Sequence, residues 1–288
     1  MLLCNDCPNK CNVNREIEVG RCGVNTGIKL ARAGVHYGEE PCISGENGSG
    51  TIFFSGCSLK CVMCQNYEIS HEGYGKYVTQ ERFIDILKNL EKKNVHNINF
   101  VTPTHYYSAI KQALSVYKPQ IPLVYNSSGY DNVQFIKEDL FDVYLFDLKY
   151  FSREKSKRYS ACENYFEIAS EVIKAACDIV GNPVFDEKGI LKRGVVVRHL
   201  ILPGSTNDSI EIIKWLNSNT PDVIFSLMSQ YVPMYKANEF PEINRKITKR
   251  EYNKVLNGCY DCNFSEIYVQ ELTSATTELI PDFDLSGI

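Results

Sequence analysis

"TIFFSGCSLKCVMC" (51–64) is an apolar run that stops at Ser55-Gly56 and passes at once into three cysteines. The run Ile52-Phe53-Phe54 has no polar interruption, which suits a strand covered on both faces. Six runs of the same character follow: "INFVTP" (98–103), "PLVYNS" (122–127), "VYLFDL" (143–148), "VVVRHLILPG" (195–204), "VIFSLM" (223–228) and "IYVQEL" (267–272). Segments of helical period separate them. Phe83, Ile86, Leu87 and Leu90 repeat at i, i+3, i+4, i+7 behind Thr79 as N-cap. Phe166, Ala169, Ile173, Ala176 and Val180 do the same and end at Gly181, a helix stop. Further helices are expected over 105–117, 132–139, 208–218 and 248–258. Repeated β-then-α order means a parallel sheet with right-handed crossovers.

The strand ends choose between a barrel and an open sheet. Ser55-Gly56-Cys57, Thr102-Pro103-Thr104-His105, Asn126-Ser127-Ser128, Asp147-Leu148-Lys149, Pro203-Gly204 and Gln230-Tyr231 are polar, ionisable or glycine-bearing. An open sheet binds at one switch point, whereas a barrel draws its site from several strands at once. The pattern favours an α/β barrel or partial barrel.

Composition agrees and excludes alternatives. The chain has 288 residues, 44% of them hydrophobic and 23% charged, which is globular and within barrel size. No apolar run is long enough for a membrane span. A net charge of −4 argues against nucleic acid as a partner. The opening "MLLCNDCPNKC" lacks the apolar core of a signal peptide, so a cytoplasmic chain with reduced thiols is expected. The chain nevertheless has twelve cysteines. Eight of them precede residue 65, and such clustering reads as metal binding or catalysis rather than packing.

Cys57, Cys61 and Cys64 form C-x3-C-x2-C directly after the first parallel strand. Three thiolates leave a tetrahedral zinc one ligand short. They can hold three irons of a [4Fe–4S] cluster, leaving the fourth iron open to an exogenous chelate such as the amine and carboxylate of an α-amino acid. Cys4, Cys7, Cys11 and Cys22 form a second group, C-x2-C-x3-C-x10-C, that suits zinc or an auxiliary iron–sulfur cluster. Residues 1–49 therefore read as a Cys-rich N-terminal extension stapled by metal, and 50–288 as the barrel domain. Cys42, Cys162 and Cys177 read as packing residues, and Cys259 and Cys262 as incidental thiols. "GENGSG" (45–50) precedes a strand instead of following one, so it reads as a connecting loop. The basic run Arg153, Lys155, Lys157, Arg158 reads as a solvated loop, and His105 as a helix-start residue.

The three-cysteine motif resembles that of the radical S-adenosylmethionine (SAM) superfamily. "RAGVHYGEEPCISGENGSGTIFFSGCSLKCVMCQNYEIS" (32–70) looks like the pyruvate formate-lyase activating enzyme group, and most of all its PflX-like branch. "FVTPTHYYSAI", "VYNSSGYD", "VYLFDLKYF", "VRHLILPG", "LMSQYVPMYKA" and "INRKITKREY" extend the resemblance over the whole chain. It implies a partial (β/α)6 TIM-type barrel, a cluster-bound SAM, and reductive cleavage to a 5′-deoxyadenosyl radical that takes hydrogen from substrate. It also implies an oxygen-sensitive oxidoreductase served by flavodoxin or ferredoxin, acting on a glycyl-radical partner, a peptide or a small molecule.

By the same resemblance Cys57, Cys61 and Cys64 are the cluster ligands, and Met63 packs against adenine where relatives often have an aromatic residue. Thr102, Pro103 and Thr104 stand where many members have Gly-Gly-Glu. The carboxylate is missing here, and the Thr102 or Thr104 hydroxyl is the substitute acceptor for the SAM amino group. Asn126 faces the SAM ribose or carboxylate, and Asp147 and Lys149 match an Asp-Leu-Lys in which the lysine pairs the methionyl carboxylate. Arg198 and His199 are both candidates, but neighbours on a strand face opposite ways and their spacing does not choose between them. The competing class is a non-catalytic iron–sulfur electron carrier or metal-bound scaffold, which has no need of polar strand ends around an open iron. A zinc hydrolase lacks its H-E-x-x-H ligands.

Overall fold

In the computed structural model, residues 3–260, 262–276 and 280–288 are described. The first half of the chain runs β1 (Ile28–His36), α1 (Pro41–Ser44), β2 (Ser49–Phe54), α2 (Tyr67–Ser70), β3 (Lys76–Val78), α3 (Gln80–Glu91), β4 (Ile98–Val101), α4 (Tyr107–Val116) and β5 (Leu123–Ser127). The second half continues α5 (Val133–Ile136), β6 (Val143–Asp147), α6 (Arg153–Ser160), α7 (Tyr165–Val180), β7 (Val184–Phe185), β8 (Leu191–Leu200), α8 (Thr206–Asn219), β9 (Ile224–Met228), α9 (Lys249–Asn257) and β10 (Glu266–Val269). All seven apolar runs are strands. The α3 cap is as expected, with Thr79 Oγ1 accepting from Arg82 N at 3.2 Å, and α7 ends at Gly181 with φ +69°.

The strands form one sheet in the order β10-β9-β8-β6-β5-β4-β2-β1-β3, with β7 as a short antiparallel flap on β8. From β2 to β10 every neighbouring pair is parallel, so seven parallel strands stand where the resemblance implied six. Among the described residues β10 and β3 are the two edges, and the sheet does not close.

Two expectations need correction. The boundary at 49/50 falls inside β2, because β1 runs antiparallel to β2 from Leu30↔Phe54 to His36↔Ser49 and belongs to the sheet. A bulge between Leu30 and Arg32 moves the buried positions from Ile28 and Leu30 to Ala31 and Ala33, which hides the two-residue period. The basic run is not a loop but α6, started by Ser152 accepting from Lys155 N. Arg153, Lys157 and Arg158 pair with Glu167, Glu163 and Glu242 on its solvent side.

The two faces of the sheet carry different cores. Phe100, Tyr125, Tyr144, Phe146, Val195, Val197 and Phe225 pack beneath the helices in the large core. Val124, Val143, Leu145, Val196 and Ile224 point the other way and meet Cys42 and Ile43 of α1. The short α1 thus plugs the end of the barrel at which the parallel strands begin. Two residues further along each strand, on that same inner face, come Asn126, Asp147, Arg198 and Ser226. The inner wall changes from apolar to polar within one repeat of the pleat.

Candidate functional site

A cavity of about 440 Å³ opens above the α1 plug. Its wall includes Cys57, Cys61, Met63, Cys64, Thr102, Asn126, Asp147, Lys149 and Arg198. Nine of the sequence candidates, from five segments of chain, therefore share one space.

The cysteine loop is held from every side. Gly56 has φ +82°, and a Cβ there would lie 2.6 Å from the Cys22 carbonyl oxygen, so only glycine fits. Gly56 N donates to Ile69 O at 2.8 Å and Cys57 N to Cys22 O at 3.2 Å. Val62 N donates to Tyr159 O at 2.8 Å. Each sulfur also has a hydrogen-bond partner: Leu59 N at Cys57, the Ser160 hydroxyl at Cys61 (3.0 Å), and Asn66 N with the Ser70 hydroxyl (3.1 Å) at Cys64.

Burial, then the neighbouring sulfurs, pushes the Cys57 thiol up to about 12, and the same causes raise Cys64. Bare thiolates at Cys57 and Cys64 are therefore disfavoured. A cationic group between them, aided by the donors around each sulfur, is what would let them ionise. Among the described residues no three His, Cys, Asp or Glu side chains close on a single ion. Ligands that each bind a different iron need no such closure, so the trio fits a cluster by its donors and its shared wall.

Below the thiols lies a charged layer. Arg198 donates to Asp147 Oδ1 (2.6 Å), Glu39 Oε2 (2.7 Å) and Asn126 Oδ1 (2.9 Å). Lys149 Nζ donates to Asp147 Oδ2 at 2.9 Å. Burial alone would raise Asp147, but the Arg198 and Lys149 charges outweigh it and hold the carboxyl down to about 2. Burial likewise works against the Lys149 charge, and Asp147 more than restores it. Glu39 and Glu40 escaped the sequence reading because they come from the loop before α1, at the opposite end of the barrel. Burial raises the Glu40 pKa, opposed by Arg198 and reinforced by Glu39.

Thr102 sits at φ +62°, a left-handed conformation that a β-branched residue rarely adopts. It occupies the position at which the resemblance places glycine. Its amide donates to Asn126 O at 2.8 Å, which locks the end of β4 onto β5. Met63 lines the cavity with Tyr150 Oη 3.8 Å from its sulfur.

Two candidates do not reach the cavity. Thr104 is buried behind the wall, where its hydroxyl bonds the Asp131 carboxylate. His199 faces the helix layer, with Nδ1 2.7 Å from Leu148 O and Nε2 2.8 Å from Ser209 Oγ. The pleat gives the interior to Arg198 alone of that pair. His105 is fully buried and bonds Ser55 O at 3.0 Å, a packing role.

The N-terminal cysteines lie near one another: Cys7 feels the charges of Cys22 and Cys11, and Cys22 those of Cys4 and Cys11. They do not close on one ion as a finished zinc site would. Amides approach two of the sulfurs, with Arg21 N 3.3 Å from Cys11 Sγ and Asn9 Nδ2 3.5 Å from Cys7 Sγ. The segment is no free appendage. Arg15, 5% exposed, donates to Asp6, His105 O and Asn25 O, and Asn9 donates to Ser58 O beside Cys57.

Comparisons with known proteins agree with this geometry. The family model of the Radical SAM superfamily matches residues 51–216. An uncharacterized protein of Methanocaldococcus jannaschii is 33% identical over 279 residues, covering 92% of this chain and 76% of its own. Streptococcus suis SuiB superposes with a TM-score of 0.54 at 13% identity, over 76% of this chain and 48% of SuiB. SuiB bound to S-adenosylmethionine gives 0.52 at 15% identity, over 79% and 51%. At such identity the likeness is one of fold, and this chain spans about half the length of SuiB. The match over more than half of the chain, on a strand-and-cysteine core of this geometry, means that the chain belongs to the radical SAM superfamily.

Proposed function

We propose that Cys57, Cys61 and Cys64 hold three irons of a [4Fe–4S] cluster whose fourth iron takes S-adenosylmethionine. When bound, the pair supplies one-electron cleavage to methionine and a 5′-deoxyadenosyl radical, which takes a hydrogen atom from substrate. The observation that carries the reading is the common wall: the three thiols and the polar inner ends of β4, β5, β6 and β8 line one cavity.

The chain's own residues then divide the work. Lys149, whose ammonium meets the Asp147 carboxylate, pairs the methionyl carboxylate. Asp147 orients Lys149, and Arg198 holds Asp147 and Asn126, its own donors already committed to Asp147, Glu39 and Asn126. The Thr102 hydroxyl and Asn126 are polar partners for the amino group and ribose, and Met63 packs on the adenine. The N-terminal quartet, Cys4, Cys7, Cys11 and Cys22, is read as a second metal site that a bound zinc or auxiliary cluster would draw closed.

The sequence likeness to activating enzymes supports a polypeptide substrate, either a glycyl-radical partner or a peptide modified directly, with a flavodoxin or ferredoxin as reductant. SuiB, which shares the fold, has been solved with its precursor peptide SuiA. The test is anaerobic reconstitution followed by dithionite, S-adenosylmethionine and assay for 5′-deoxyadenosine. Product from the wild-type chain, lost in Cys57→Ala, Cys61→Ala and Cys64→Ala, supports the reading. An intact, reducible cluster whose paramagnetic resonance spectrum is unmoved by S-adenosylmethionine refutes it. Iron and zinc analysis of a Cys4→Ala, Cys7→Ala chain identifies the second metal.

A further inference from the structure

We propose that the Ser160 and Ser70 hydroxyls donate to the thiolates of Cys61 and Cys64 and raise the reduction potential of the group those sulfurs hold. The inference rests on the cluster assignment above and goes beyond it to residues outside the cysteine motif.

Ser160 ends α6 and is fully buried. A buried serine in a helix commonly bonds back to a carbonyl of the preceding turn. Ser156 does this, donating to Arg153 O at 3.1 Å. Ser160 instead turns its hydroxyl to Cys61 Sγ at 3.0 Å, across 99 residues of sequence. Tyr150 stands beside this bond. Its phenol, also fully buried, lies 2.8 Å from Ser160 Oγ. Either hydroxyl of that pair can donate, and the phenol also lies 3.8 Å from the Met63 sulfur and bonds Cys61, so Tyr150 packs a second hydroxyl against the Cys61 sulfur.

The serine is fixed from outside as well, because the Arg21 guanidinium donates to the Ser160 and Ala161 carbonyls at 3.0 and 2.9 Å. Ser70 is the counterpart on the other side. It ends α2 with Oγ 3.1 Å from Cys64 Sγ, and Lys60 Nζ donates to its carbonyl at 3.1 Å.

A hydrogen bond to a ligating thiolate withdraws electron density from the metal and favours the reduced state. Two neutral hydroxyls do this without adding charge to the site. They act through the cysteine sulfurs and are positioning residues.

The test is a redox titration, followed by paramagnetic resonance, of the reconstituted wild-type chain and of Ser160→Ala, Ser70→Ala and Tyr150→Phe. Each alanine variant, loaded to the wild-type iron content, is expected to shift the oxidised-to-reduced ratio at fixed potential about tenfold toward oxidised, a midpoint about 59 mV lower for a one-electron couple. Tyr150→Phe is expected to shift it in the same direction by less, and Ser160→Thr to restore it. Should Ser160→Ala fail to load, Ser70→Ala and Tyr150→Phe decide. Normally loaded variants with unmoved midpoints overturn this inference and leave the cluster assignment standing. A wild-type chain that takes up no iron and sulfide overturns both.

Discussion

Arg198 and His199 are neighbours on β8 that serve opposite faces of the sheet. Arg198 ties Asp147, Glu39 and Asn126 together inside the barrel, while His199 links Leu148 O to Ser209 Oγ of α8 outside it. Their substitutions should therefore separate. Arg198→Ala leaves the nearly buried Glu39 and Glu40 carboxylates without their cation and is expected to cost about 3–5 kcal/mol of stability. His199→Ala breaks two neutral bonds and should cost about 1–3 kcal/mol, with S-adenosylmethionine binding unchanged in the protein that folds. Denaturant titration of the two variants checks the order. Equal costs would mean that the inner charge layer is not the stronger constraint.

Lys149 differs from Arg198 in having one carboxylate partner rather than a full set. If it meets the methionyl carboxylate, Lys149→Ala should weaken S-adenosylmethionine binding about tenfold or more, roughly 1.4 kcal/mol. The charge-retaining Lys149→Arg should recover part of that loss. Calorimetry on reconstituted protein with equal iron content reads both. An unchanged dissociation constant in the alanine variant would remove Lys149 from the binding set.

Thr102 carries backbone strain at the rim of the cavity. A side chain in the left-handed region costs about 1–2 kcal/mol, and glycine avoids that cost at the expense of about 0.5–1 kcal/mol of chain entropy. Thr102→Gly is therefore expected to match or exceed wild-type stability by up to about 1.5 kcal/mol. Thr102→Val keeps the strain and loses the hydroxyl, so it should be less stable than wild type. Thermal melts of the three proteins check this, and a clear loss in the glycine variant would show that the hydroxyl outweighs the strain.

Much of this architecture is legible in the sequence because parallel strands buried on both faces write themselves as continuous apolar runs. All seven are recognisable that way, and the C-x3-C-x2-C after β2 marks one end of the cavity. β1 is not legible, because its bulge breaks the alternation, and β3 has only three residues, two of them exposed. Which of Arg198 and His199 faces inward depends on register. Pairing of Asp147 with Arg198 across β6 and β8 settles it, and sequence spacing carries no such information. Glu39 and Glu40 arrive from a loop, and Ser70 and Ser160 from helix ends. Nothing local marks those four as neighbours of the site.

His105 gives the chain a pH dependence separate from any cluster chemistry. Burial, only partly offset by its bond to Ser55 O, lowers its pKa to about 3. In the unfolded chain the same imidazole titrates near the ordinary value of about 6.5. Below that pH the unfolded state binds a proton that the folded state refuses, so stability must rise with pH across the window. The stabilisation is full above about pH 6.5 and is lost as pH falls toward 3, at up to about 1.4 kcal/mol per unit. His199, whose pKa burial also lowers, adds to the same slope. In His105→Gln the amide can still donate to Ser55 O but cannot titrate. The difference in unfolding free energy between wild type and His105→Gln, measured at pH 7, 6 and 5, should shift steadily in favour of the variant as the pH drops. Parallel curves for the two proteins would mean that His105 takes up its proton as readily in the fold as in the unfolded chain, in contradiction to its buried, singly bonded ring.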